Sequence, residues 1–104
     1  MSNIYGLPER TIKELLEYFQ SNSAVEKVVL YGSRAKGTYH NGSDIDFALW
    51  FKEPANVSKI SDELDELPTP YKFDVTDYNT LTHIELKQSI DGEGVIFYQR
   101  QQKI

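Results

Sequence analysis

The chain has 104 residues, 16 acids against 11 bases for a net charge of −5, and 39 % hydrophobic and 26 % charged residues. That length predicts one domain, 1–104, with a genuine core, and the composition argues against intrinsic disorder. Net acidity excludes a domain drawn to nucleic acid by charge alone, and zero cysteines exclude disulfides, thiolate zinc sites and cysteine nucleophiles.

At the N-terminus, Met1-Ser2-Asn3-Ile4-Tyr5 shows no basic stretch followed by an apolar one, so no signal peptide is expected. Apolar runs such as Val28-Val29-Leu30-Tyr31 fall far short of the ~20 residues that span a bilayer. A cytoplasmic protein without membrane contact is the expectation. Ile12, Leu15, Leu16 and Phe19 form one stripe of an amphipathic helix, with Pro8 and Glu9 in its first turn and Ser21-Asn22-Ser23 at its close. A β-branched run over 25–31 predicts a strand ending at Gly32-Ser33. Residues 32–43 are polar and glycine-punctuated, a loop with one helical turn around Arg34-Ala35-Lys36.

Residues 44–49 alternate in period two: Ile45, Phe47 and Leu49 face one way, Asp44, Asp46 and Ala48 the other. Val57, Ile60, Leu64 and Leu67 make a second helical stripe, bounded by Pro68 and Pro70. Residues 71–78 alternate again, with Phe73 and Val75 opposed to Asp74 and Thr76. Thr82-His83-Ile84-Glu85 has the form of a capping box for a helix whose Leu86 and Ile90 share a face. Gly92 and Gly94 end it, and 95–98 form a last strand. The order predicts an α/β (α+β) layer structure.

Chemistry concentrates in Gly32-Ser33, then ten residues, then Asp44-Ile45-Asp46, with Asp74 on a later strand. Two carboxylates at i and i+2 share a strand face with Cα atoms about 6.6 Å apart and repel each other. A divalent cation removes that cost, and hard oxygen ligands select Mg²⁺ or Mn²⁺. Asp74 supplies a third carboxylate if its strand pairs with that of Asp44 and Asp46, and three such groups suit a two-metal site with ions ~3.5–4 Å apart. Gly32 lets backbone approach a ligand, amides of the following turn form an anion site, and the Ser33 hydroxyl adds a phosphate bond. Arg34 and Lys36 are the cations of this loop, Arg34 the better bidentate partner for phosphate, and Ser43 places a hydroxyl beside the first carboxylate. A P-loop is excluded because Lys36 precedes Gly37 instead of following it. Asp77, three residues after Asp74, has the wrong parity for the same face and suits a strand end. Average residue usage makes Gly-Ser-x10-Asp-x-Asp a chance event in roughly one chain of this length per thousand.

The run Leu30-Tyr31-Gly32-Ser33-Arg34-Ala35-Lys36-Gly37-Thr38 followed by Gly42-Ser43-Asp44-Ile45-Asp46-Phe47 resembles the signature of the minimal nucleotidyltransferases of the DNA polymerase β-like superfamily. Lys72-Phe73-Asp74-Val75-Thr76-Asp77-Tyr78 resembles that family's third-carboxylate strand, and Glu93-Gly94-Val95-Ile96-Phe97-Tyr98 its usual ending. The resemblance implies a small mixed sheet flanked by helices. It implies two Mg²⁺ ions on Asp44 and Asp46, Asp74 on one metal and activating the acceptor hydroxyl, and ATP bound through Gly32 and Ser33. The resemblance further implies a helical HEPN-type partner, with which stand-alone members of this size are typically paired. In the best understood pairs it is a toxic RNase that the transferase neutralises as antitoxin by moving AMP from ATP onto a tyrosine. Six residues follow Tyr98, so the helical domain with which larger relatives grip the acceptor is expected to be replaced by that partner. Two alternatives stand beside this reading: a binding module that neutralises its partner by contact, and nucleotidyl transfer to a small-molecule acceptor.

Overall fold

The computed structural model describes residues 4–101. Ile4 and Leu7 bridge across a tight turn in which Tyr5 and Gly6 both have positive φ, 58° and 72°. That turn drops Leu7 into the core, wholly buried. Helix α1 (Glu9–Ser21) follows, burying Thr11, Leu15 and Phe19 at a spacing of four. Pro8 stands one residue before it, with extended ψ of 152°, not inside the first turn as expected.

Strand β1 (Val25–Tyr31) ends at the one-turn helix α2 (Ser33–Lys36), and the loop returns through β2 (Ile45–Phe51). Helix α3 (Val57–Asp65) is capped by Asn56, whose side chain accepts from the Ser58 and Lys59 amides. Strand β3 (Phe73–Asp77) runs into a 3-10 turn, Tyr78–Thr80, then helix α4 (Ile84–Glu93) and strand β4 (Val95–Gln99). The cap of α4 is His83 and not the expected Thr82, because His83 Nδ1 takes the Leu86 amide at 3.1 Å. The helix also continues through Gly92 to Glu93.

The sheet order is β3-β2-β1-β4, with β1 antiparallel to β2 and β4, and β2 parallel to β3. A parallel pair needs a crossover, and α3 supplies it. Val28, Leu30, Ile45, Phe47 and Leu49 pack with α1 and α3 on one face, Phe47 lying 5.4 Å from the Phe19 ring, edge on. The opposite face carries its acids at its leading end. Further along, Val29, Tyr31 and Ala48 close against Ile90 of α4, so Ala48 is wholly buried where alternation alone suggested a solvated face. Beyond them Trp50 stacks on Tyr78 at 4.2 Å.

Candidate active site

Strand register assembles the site. Tyr31 is opposite Asp46, and Asp46 is opposite Asp74, so three side chains stand in one row on one face of the sheet. Neighbouring strands lie about 4.8 Å apart, which sets the Asp46 and Asp74 backbones about one strand spacing from each other. Asp44 precedes β2 by one residue and is exposed, as is Asp74; Asp46 is half-buried. Burial pushes the Asp46 carboxyl up to about 6, the negative charges of Asp74 and Asp44 add to the rise, and Arg34 opposes it. The Tyr31 phenol is likewise pushed up, chiefly by burial and also by Asp74 and Asp46, while its hydrogen bond to Thr76 acts the other way.

Gly32 joins this row to the loop. Its φ of 77° belongs to glycine, and a Cβ built there would fall on the Asp46 carboxylate. The Gly32 backbone therefore lies directly against Asp46, which no other residue allows. Ser33 opens α2, and its carbonyl accepts from the Thr38 amide at 3.0 Å.

Arg34 is not at the loop surface, where a phosphate contact would need it. Only 2 % of it is exposed; one terminal nitrogen donates to the Tyr5 carbonyl at 3.0 Å and the other to the Ser43 carbonyl at 2.9 Å. Lys36 is the cation of this stretch that reaches solvent, 3.9 Å from the Glu93 carboxylate. Ser43 closes its own turn: the His40 amide donates to its Oγ at 2.7 Å. Asp77 caps the 3-10 turn by accepting from the Asn79 amide at 3.0 Å, in keeping with its parity.

Tyr31 and Thr76, whose hydroxyls lie 3.3 Å apart, stand beside the carboxylates on the same face, and the sequence pattern does not single them out. The available signals were Tyr31 abutting Gly32 and Thr76 sharing parity with Asp74. A cavity of about 550 Å³ opens between α1 and α3, and none of the three aspartates lines it.

An all-oxygen donor set on two adjacent strands fits a hard divalent cation, and so does the Asp46 carboxyl, lifted chiefly by burial and further by the charges of Asp74 and Asp44. The fit is incomplete in one respect. Among the described residues, no three His, Cys, Asp or Glu side chains converge closely enough to hold an ion together.

The sequence profile described as "Polymerase beta, Nucleotidyltransferase" matches residues 13–103. No curated protein sequence matches the chain. Among solved structures, it is similar to one of a toxin–antitoxin with AMP-PNP, at 24 % identity and a TM-score of 0.63, covering 91 % of this chain and 76 % of that one. It is also similar to a tri-AMPylated Shewanella oneidensis HEPN toxin in complex with MNT antitoxin, at 14 % identity and a TM-score of 0.67, covering 88 % and 72 %. A candidate nucleotidyltransferase from Sulfolobus solfataricus matches at 26 % identity and a TM-score of 0.56, covering 88 % and 79 %.

Proposed function

The chain belongs to the polymerase β nucleotidyltransferase family, and on that premise we propose that it transfers AMP from ATP to a tyrosine hydroxyl of a helical HEPN-type toxin, as that toxin's antitoxin. The observation that carries the reading is the pairing of Asp46 with Asp74 in one register, with the Gly32 backbone against the Asp46 carboxylate. Neighbours that are toxin–antitoxin complexes, one with AMP-PNP and one with an AMPylated HEPN toxin, support the choice of donor and acceptor.

Asp44, Asp46 and Asp74 would hold Mg²⁺, which when bound supplies charge neutralisation at the phosphates. The glycine at 32 admits the triphosphate close to the backbone, and the Ser33 hydroxyl donates to it. Lys36, accessible where Arg34 is not, offsets phosphate charge. Asp74, exposed on the edge strand β3, takes the proton of the acceptor hydroxyl. The tyrosine oxygen then bonds to the α-phosphorus, the bond from that phosphorus to the bridging oxygen breaks, and pyrophosphate leaves.

D44N/D46N should abolish AMP transfer from labelled ATP to the co-expressed partner without loss of the fold; undiminished transfer by that variant refutes the assignment. A second reading is neutralisation by contact alone. It predicts that D44N/D46N still protects cells from the partner at equal expression, whereas the transferase reading predicts loss of protection.

A further inference from the structure

Arg34 is a charged side chain enclosed by the fold, and its contacts come from every segment that leads to a carboxylate. It donates to the Ser43 carbonyl, one residue before Asp44, and to the Tyr5 carbonyl of the N-terminal turn. Its guanidinium lies over two aromatic rings, 5.3 Å from the Tyr39 centroid and 5.1 Å from that of Tyr71. Tyr71 adjoins Lys72, whose carbonyl accepts the Ile45 amide at 2.9 Å and so begins the β2–β3 ladder. The N-terminal turn is shaped around the same group. Gly6, at φ 72°, has room for no Cβ, which would meet the Tyr39 ring and stand 2.9 Å from an Arg34 terminal nitrogen.

We infer that Arg34 is a positioning residue: from inside the fold it sets where Ser43 and the Asp44–Asp46 stretch stand, using the Tyr5–Gly6 turn as its fixed support. The inference rests on the reading of that stretch as the metal-ligand segment. A lysine cannot do the same work. Its single ammonium lacks the planar fork whose two terminal nitrogens reach the Tyr5 and Ser43 carbonyls separately, although it carries the same charge. Arg34 Nε is buried with no hydrogen-bond partner, so the side chain keeps this place with one donor unsatisfied. The two carbonyls and the two rings compensate for that.

The test is hydrogen exchange on R34K and G6A, each measured in complex with the partner, alongside AMP transfer as Mg²⁺ is varied and ATP affinity measured in EDTA. Loss of a charged hydrogen bond to the Ser43 carbonyl should speed exchange across 40–46 by about tenfold or more in R34K. Half-maximal transfer should need about tenfold more Mg²⁺, while affinity for ATP in EDTA stays at the wild-type value. G6A should reproduce the pattern with Arg34 intact, and it carries the test if R34K does not fold. Wild-type exchange in both variants overturns the inference, as does weakened ATP binding in EDTA, which marks a phosphate contact. If the wild-type complex transfers no AMP, the proposed function falls, yet the exchange data still decide where Arg34 acts.

Discussion

The Asp46 carboxyl makes the site a source of instability that can be measured. Its rise from the usual 3.8 to about 6 means the folded chain binds this proton more tightly than the unfolded one. The cost of ionisation is therefore absent below pH 3.8, grows as pH rises towards 6, and is complete above it. The rise corresponds to about 3 kcal/mol, and because Asp46 is partly open to solvent, screening reduces this to about 1–2 kcal/mol. D46N removes the charge and keeps the shape. At pH 8 in EDTA it should melt higher than the wild type, by about 4–8 °C for each kcal/mol in a domain of this size. The gap should close as pH falls through 6 towards 4. Added Mg²⁺ should raise the wild-type melting temperature and leave D46N nearly unmoved. Melting temperatures that coincide at pH 8, or a gap as wide at pH 4 as at pH 8, refute the reasoning.

G32A tests the closest approach in the site: its Cβ would overlap the Asp46 carboxylate at a φ that alanine resists, so AMP transfer should fall by about a hundredfold or more at a stability cost of about 1–2 kcal/mol. Retention of transfer by G32A would show that the backbone there can yield. Arg100 links α1 to β1, donating from Nε to the Val25 carbonyl and from a terminal nitrogen to the Phe19 and Asn22 carbonyls. R100M should lose about 2–3 kcal/mol in urea unfolding while transfer per folded molecule is unchanged.

Periodic features carried well from sequence to structure. The α1 and α3 stripes place Leu15, Phe19, Ile60 and Leu64 in the core, and the parity of 44–49 turns Ile45 and Phe47 inward. The same parity puts Asp46 and Asp74 on one face, but whether their strands adjoin depends on a crossover, which local periodicity does not encode. Arg34 shows the other limit. An arginine in a polar loop suggests solvent and phosphate, and its burial depends on carbonyls and rings contributed by residues 5, 39, 43 and 71. His83 displaced Thr82 as the α4 cap because a ring nitrogen reached the Leu86 amide, a contest between neighbours that the capping-box pattern leaves open. Arg100 lay beyond the last periodic run, so no pattern announced its three carbonyls.

The parallel pairing of β2 with β3 also bears on how the protein folds. Asp46 and Asp74 meet only after the chain has crossed over through α3, so their alignment is a non-local event that comes slowly. A slip of one residue in that pairing would turn Asp74 inward, towards Phe47, and turn Phe73 out of the core, breaking the pair of rings that stack at 6.2 Å in the native register. A carboxylate against the buried Phe47 ring, with the Phe73 ring lost from the core, is too costly to persist. The aromatic core thus proofreads the acidic row on the far side of the sheet, and a molecule that has completed its folding has already rejected the mispaired site.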